Sequence, residues 1–458
     1  MIRYCQRNDE SVKAAMRSGR LDAACSSQGH FVDDVLRVML DKGILKCLSD
    51  GIEDRRNPNS FIPFGAMLAL SVAAKMKIKT SLTDIPFAIT DHRLLSELGY
   101  AMYDTDGRLA KSMMTEGTLR NFIAKYTHED LFTAYNNIIQ NHVMPRMDMS
   151  ANIHILDCTK ISVNYWNTNY EGAGIARDSD NNVTRGYKIA TLRGIIKDSG
   201  IIEEIRWGSM DIHDLELSKD MLYNSLMLKP GDLLICDRGF ISREVINYLK
   251  TKRGVDVIIP LRANMEAHSV AVTVAKEGKK WVTHPNKKRK NQKVAFVSDL
   301  GNHYIDNPKE DVGLNACVVF DSEKDEYFTF ISTDLSMSAK MIVKTYELRP
   351  EIEESFRQIK SEWKIEDFKS TKQNFIAFHI ICTLFGYLFW ELFTMLPEGM
   401  QYARKSLPAI LKNHRPQAFT AVICYVASEF AVFSLSDYAE LYTSCGDAVK
   451  ALLRFFVG

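Results

Sequence analysis

The stretch YELRPEIEESFRQIKSEW, residues 346–363, is the most informative part of this 458-residue chain. Its residues repeat with the period of an α-helix, and at about 100° per residue Arg349, Glu353 and Lys360 fall on one narrow face. An apolar stripe beside that face consists of Ile352, Phe356, Ile359 and Trp363. We therefore predict a helix that packs its apolar stripe on a sheet and holds Glu353 at the edge of that sheet.

Pro350 limits how far this helix extends toward the N-terminus, because proline is tolerated in the first helical turn and disrupts later ones. Tyr346 and Arg349 are therefore expected on a preceding turn or on a kinked helix. Glutamates and basic residues at such spacings also suit an ordinary surface helix with internal ion pairs. The spacing Y-x2-R-x3-E-x6-K favours a functional face over that alternative.

Two short apolar runs, residues 153–157 and 233–237, each end in an aspartate, Asp157 and Asp237. Such runs are typical of strands buried on both faces, and in open α/β sheets the strand ends are where ligands bind. A single aspartate in this place often does no more than begin a turn. Two of them, together with Glu353 on a rigid helix, predict a carboxylate site for a hard divalent cation.

The surrounding sequence predicts an α/β fold. After residue 150, three strands, a helix, a strand, a helix and a strand follow one another, which favours a mixed sheet flanked by helices. Strand-like runs at 270–274, 294–297, 317–320 and 327–331 predict an all-β insertion. The predicted division is a helical N-terminal domain (1–148), a core in two parts (149–262 and 336–396) interrupted by the β insertion (263–335), and a helical C-terminal region (397–458).

Composition excludes several classes of protein. Apolar residues make up 46% and charged residues 25%, which is ordinary for a globular protein and unlike a disordered or collagen-like chain. The nine cysteines are scattered without zinc-ligand spacing, which favours reduced thiols in a cytoplasmic protein. The apolar run 375–390 is shorter than the roughly 20 residues of a membrane span, and we predict a buried core helix instead.

Charge is distributed unevenly along the chain. The net charge of +1 taken alone argues against a nucleic-acid partner. Residues 276–293, however, hold eight Lys or Arg against one Glu, so the rest of the chain is net negative. Such a run forms either a solvated loop or a surface that follows a nucleic-acid backbone, and Trp281 within it either packs in a core or stacks on a base. The candidate DNA contacts at its centre are Lys287, Lys288, Arg289 and Lys290.

Other polar residues close to the two aspartates in sequence are expected to be structural. They are His154, His213, Asp211, Asp214, Cys158 and Cys236. The two extra aspartates precede a predicted helix at capping positions, and the cysteines have no adjacent base that would activate a thiol. We leave all six outside the carboxylate triad.

The helix motif resembles a known family. Its four polar residues match the Y-R-E-K signature of DDE-type bacterial insertion-sequence transposases, in the group whose catalytic domain carries a β insertion. The matching residues are Tyr346, Arg349, Glu353 and Lys360. Asp157 and Asp237 are similar to that family's first and second acids.

Two connecting motifs, Gly-Tyr-Lys at 186–188 and the segment 208–214, also look like those of the family. The resemblance spans roughly residues 157–390, about half of the chain. Pro350 stands where many relatives carry a tryptophan, which is a local departure from the pattern.

The resemblance implies an RNase H-like catalytic core. Asp157, Asp237 and Glu353 would bind two Mg²⁺ ions, for which Mn²⁺ can substitute, and would cleave and join DNA strands. Arg349 and Lys360 would hold phosphates of the DNA end, with Tyr346 against the backbone near the cut. Residues 1–148 would bind the DNA end.

The implied partners are double-stranded DNA and a second copy of the chain. The DNA would be the inverted-repeat ends of the element and its target, held by a homodimer at the bacterial nucleoid, with no membrane involved. A nuclease with the same fold but without strand transfer, and an inactive DNA-binding derivative, are the alternatives. A glycosidase with paired carboxylates is disfavoured by the basic run and the Arg/Lys signature.

Overall fold

The computed structural model of the protein describes residues 6–60, 62–99, 114–177, 181–196, 199–303, 312–403, 405–415 and 417–457. Its strands are β1 (Gln6–Arg7), β2 (Ala23–Gly29), β3 (Ile153–Val163), β4 (Gly174–Arg177), β5 (Val183–Ile196), β6 (Ser199–Ser209), β7 (Leu233–Cys236), β8 (Asp256–Pro260), β9 (Trp281–Thr283), β10 (Gln292–Val297), β11 (Asn315–Asp321), β12 (Glu326–Ser332), β13 (Gln417–Val426) and β14 (Glu429–Phe433).

The α-helices are α1 (Asp9–Arg17), α2 (Phe31–Asp41), α3 (Ile44–Gly51), α4 (Phe64–Met76), α5 (His92–Glu97), α6 (Glu116–Ile123), α7 (His128–Asn137), α8 (Met144–Met147), α9 (Asp214–Asn224), α10 (Arg243–Tyr248), α11 (Glu266–Gly278), α12 (Ala339–Tyr346), α13 (Pro350–Ser361), α14 (Gln373–Met395), α15 (Leu407–Leu411), α16 (Leu435–Ser444) and α17 (Asp447–Val457). Short 3-10 or π-helical turns lie at Leu82–Phe87, Ile138–Val143, Arg238–Phe240, Leu249–Arg253, Leu300–His303 and Met400–Tyr402.

The chain forms two compact units. The terminal unit combines Met1–Arg146 with Gln358–Gly458, and the central unit is Met147–Arg357. The five-part division predicted from the sequence assigns the two ends of the chain to separate domains. The structure instead places both ends of the chain in one unit.

The terminal unit contains a four-stranded sheet in the order β1-β14-β13-β2. The prediction of helical N- and C-terminal regions is therefore incomplete, because each region also contributes two strands to this sheet. Strands from the first 30 residues pair with strands beyond residue 416, for example Cys25 with Ile423 and Arg7 with Phe430. Local periodicity could not reveal the pairs β1–β14 and β13–β2, because the partners lie about 400 residues apart.

Helix α14 is the long apolar element of the terminal unit. Within the described ranges it is the one helix long and apolar enough to cross a membrane, but 89% of its apolar window is buried inside the protein. It packs against α4 and α7. The prediction of a buried helix over 375–390 is confirmed, and the helix is longer than predicted.

The central unit is built on a ten-stranded mixed sheet in the order β4-β5-β3-β7-β8-β12-β11-β10-β9, with β6 paired to β5. Strands β3, β7 and β8 are parallel neighbours, and the other pairs are antiparallel. The predicted mixed α/β architecture is thus confirmed. The parallel trio at the centre of the sheet is what positions the candidate site.

The segment predicted as an all-β insertion begins with a helix, so that prediction is wrong in part. Valines at 270, 272 and 274 alternate as in a strand, but they lie in α11. Ala271 and Ala275, four residues apart, form its buried face, and the helix packs against β10 and β12. Strands β9 to β12 then follow, and β12 pairs with β8, so this segment extends the main sheet.

Candidate active site

The parallel pairing of β3 and β7 brings the two aspartates together. Leu156 of β3 pairs with Cys236 of β7. The next residue after each of these is an aspartate, so Asp157 and Asp237 lie side by side at the point where β7 ends. Asp157 continues within β3 and its side chain is only 14% exposed, whereas the Asp237 side chain is 39% exposed. Asp237 directly follows β7 and caps the turn Arg238–Phe240 by accepting from the Arg238 amide.

The third carboxylate comes from α13, which begins at Pro350 as predicted. Ile352 and Phe356 of this helix pack in one cluster with Ile155 of β3 and Ile235 of β7. The N-terminal half of the apolar stripe therefore lies on the two strands that carry the aspartates. Glu353 stands beside the stripe with its side chain 54% exposed.

Arg349 joins the three carboxylates. It lies in the turn between α12 and α13, and its side chain is 16% exposed. Its Nη2 is 3.0 Å from Asp157 Oδ2 and 3.5 Å from Asp237 Oδ2, and its Nη1 bonds Glu353 Oε1. The acids predicted from the sequence thus converge on a single guanidinium.

Burial and charge alter the titration of this cluster. Burial raises the pKa of Asp157 to about 6, the negative charges of Asp237 and Glu353 add to the rise, and Arg349 opposes it. Burial acts to lower the pKa of Arg349, but the carboxylates around it outweigh burial and raise that pKa. The guanidinium is therefore a permanent cation here, and Asp157 ionises just below neutral pH.

The donor chemistry of the cluster fits hard divalent cations, since three carboxylates on rigid elements supply oxygen ligands. In the geometry observed, however, the described residues contain no group of three His, Cys, Asp or Glu side chains arranged to hold a metal ion. The guanidinium takes up the oxygens that a metal would need.

Residues 189–389 match the family described as the transposase DDE domain. The matched region covers less than half of the chain and supports a DDE-type transposase. It runs from β5 to α14 and so includes Asp237, Arg349 and Glu353, whereas Asp157 precedes it. No curated protein matches the chain.

The other two members of the transposase-like signature differ in their surroundings. Tyr346 is the last residue of α12 and its ring lies 4.6 Å from that of Phe330, among apolar residues. Burial raises the pKa of Tyr346, so its hydroxyl stays protonated. Lys360 follows Glu353 by seven residues on α13, which places both on the same side of the helix, about 10 Å apart along its axis.

The basic run predicted to contact DNA lies around the β9–β10 connection. The four central residues are all exposed: Lys287, Lys288, Arg289 and Lys290. Trp281 is half-buried on β9, with its ring 6.1 Å from Phe320 and 6.2 Å from Tyr327. Its ring therefore already packs against two aromatic neighbours.

Glu347 links the β9–β10 connection to the turn that carries Arg349. The sequence did not predict a role for this residue. Its Oε1 accepts from Asn286 Nδ2 at 2.8 Å and lies 3.0 Å from Arg289 Nε. The sequence signal that could have pointed to Glu347 is its position directly after Tyr346 of the signature. Its partners, about 60 residues earlier, could not be inferred from spacing.

The residues set aside as structural have structural contacts. His154 points to the opposite face of β3 from Asp157, where its two ring nitrogens meet Glu203 at 2.8 Å and Asp232 at 3.2 Å. Burial raises the pKa values of the Cys158 and Cys236 thiols far above neutral, so neither is a thiolate nucleophile.

The two connecting motifs support the sheet beside the site. A Cβ at Gly186 would lie 2.0 Å from the carbonyl oxygen of Ile161, so only glycine allows β5 to approach β3 here. Lys188 pairs with Asp214 at 2.6 Å. His213 caps α9 by accepting from the Leu215 amide, and Asp211 accepts from the Ser209 hydroxyl.

Proposed function

We propose that this protein is a DDE transposase that cleaves and joins the ends of its own insertion sequence. The observation that supports this most is the convergence of Asp157, Asp237 and Glu353, from β3, β7 and α13, on one cationic side chain. Three carboxylates held this close need positive charge between them, because otherwise they repel one another. The transposase DDE match over residues 189–389 agrees with this function.

The catalytic role of the three acids is to hold two Mg²⁺ ions, or Mn²⁺ in their place. Bound there, the ions would activate the attacking water or DNA 3′-hydroxyl and would stabilise the leaving 3′ oxygen of the cut strand. The sheet and α13 fix the acids on rigid elements, which keeps them in place for an in-line displacement.

The signature cations would hold the DNA strand beside the acids. Arg349 and Lys360 are suited to phosphates near the cut, Arg349 through its fork of N–H donors. Tyr346 would pack against the backbone there. The DNA backbone would be followed by the exposed residues Lys287, Lys288, Arg289 and Lys290. Trp281 would stack on a base only after its ring had separated from those of Phe320 and Tyr327.

The mixed sheet with a parallel centre supports an RNase H-like core. Residues 1–148 would recognise the inverted-repeat ends, and a homodimer would hold two ends and the target. Such a protein would work in the bacterial cytoplasm at the nucleoid.

A joining assay tests this function. Labelled DNA that carries the terminal repeats of the element is incubated with the protein, Mg²⁺ and an unlabelled target plasmid. We expect nicks at the element ends, followed by transfer of the label to the plasmid. Label that is released but never joined would favour the nuclease without strand transfer, and DNA that is bound but never cut would favour the inactive derivative.

A further inference from the structure

The position of Arg349 has a consequence for the order in which ligands bind. Its guanidinium contacts the outer oxygens of all three acids, Asp157 Oδ2, Asp237 Oδ2 and Glu353 Oε1. These oxygens are the ligands that a divalent cation at this site would require. The space among these three oxygens favours one cation at a time, because a guanidinium and a divalent cation at contact distance repel each other.

The backbone at Arg349 is fixed while its side chain is long. The amide of Arg349 donates to the Tyr346 carbonyl at 2.9 Å, and Pro350 begins α13 directly afterwards. Arg349 Nε is buried and has no hydrogen-bond partner among the described residues. Among the described residues the guanidinium is therefore bonded through Nη1 and Nη2 and not through Nε, so rotation of the side chain would release it without breaking a bond of the α13 backbone.

We propose that Arg349 is a positioning residue that gathers the three carboxylates in the metal-free protein and leaves them when a divalent cation binds. This rests on the proposed function of the acids as metal ligands. Because the same guanidinium is the proposed phosphate contact, it becomes available to DNA only after it has been exchanged for the metal. Metal binding would then precede productive binding of the DNA end.

Binding of Mn²⁺ alone, measured by titration calorimetry on the full chain, tests this exchange. Arg349→Ala removes the competing cation, so we expect it to bind Mn²⁺ roughly tenfold more tightly than the wild type, as mutually exclusive binding requires. In EDTA the same variant should unfold at a lower temperature, since its carboxylates are no longer neutralised. Arg349→Lys should lie between the two proteins in both measurements.

The control is Arg357→Ala, which removes an exposed arginine of the same helix whose partner is Glu354. It should leave Mn²⁺ affinity unchanged. Equal or weaker Mn²⁺ binding by both Arg349 variants would overturn the inference, because a merely structural arginine would lower stability and affinity together.

Asp157→Asn separates this inference from the proposed function. It should abolish Mn²⁺ binding by the wild type and by the Arg349→Ala variant alike. If Asp157→Asn leaves Mn²⁺ binding intact, the metal site of the proposed function fails, whichever way the arginine variants behave.

Discussion

At the scale of single residues, the central unit depends on charges that are buried together. His154 is fully buried between Glu203 and Asp232. Burial alone would lower the pKa of His154, but the hydrogen bond and charge of Glu203, with the charge of Asp232, outweigh it and raise that pKa. Burial also raises the pKa of Glu203. Both shifts mean that the folded protein binds more protons than the unfolded chain.

The stability of the protein should therefore fall as the pH rises. The contribution of a histidine with a raised pKa is complete below its unfolded pKa of about 6.5 and is lost as the pH passes the folded value. His154→Gln should lower the free energy of unfolding by about 3 kcal/mol at pH 6, because it leaves two buried acids unpaired. Urea unfolding at pH 6 and pH 8.5 measures both effects.

The matched control is His213→Asn, which keeps a side chain able to cap α9. It should retain the stability and the pH dependence of the wild type. A His154→Gln protein that loses stability with rising pH as steeply as the wild type would show that another group causes the dependence.

The residues of the site differ in how far the sequence could predict them. Asp157 and Asp237 were predictable because each ends an apolar run, and Glu353 because it stands beside an apolar stripe of fixed period. The contact of Arg349 with all three was not predictable. It depends on side-chain directions at the meeting point of two strands and a turn, which spacing along the chain does not determine.

At the scale of elements, Pro350 and the two parallel strands explain the architecture of the site. The proline begins α13, so Arg349 lies in the turn after α12 and can face the two aspartates beside β3 and β7. The same sequence logic failed at α11, where alternating valines indicated a strand and tertiary packing of Ala271 and Ala275 selected a helix.

The contact between Glu347 and the basic connection allows a prediction at this scale. Glu347→Gln removes the charge that pairs with Arg289, which leaves Arg289 available to a DNA phosphate. If the connection binds DNA as proposed, affinity should rise, and the slope of log K against log salt should steepen by about 0.9. Fluorescence anisotropy with a labelled duplex at several salt concentrations measures that slope.

Glu351→Gln is the matched control, since it removes an equal charge from an exposed position on α13. Its salt slope should stay close to that of the wild type. Equal slopes for Glu347→Gln and the wild type would count against a role of Arg289 in DNA binding.

At the scale of the whole molecule, the distribution of charge is more informative than its sum. A net charge of +1 conceals eight basic residues against one acid within 276–293 and a carboxylate cluster where β3 passes the end of β7. The mixed sheet was predictable from local pattern. The sheet that joins β1 and β2 to β13 and β14 was not, because its pairing partners lie at opposite ends of the chain.

The most direct test of the central claim is metal-dependent cleavage of labelled element ends by single substitutions of the three acids. We predict that Asp157→Asn, Asp237→Asn and Glu353→Gln each still bind the DNA, through contacts other than that of Arg349, but do not cut it with Mg²⁺, whereas Glu351→Gln cuts at the wild-type rate. Each acid substitution should lower the rate by at least about a thousandfold, since it removes a ligand of the ions that activate the reaction. Cleavage at the wild-type rate by all three acid variants would contradict the account.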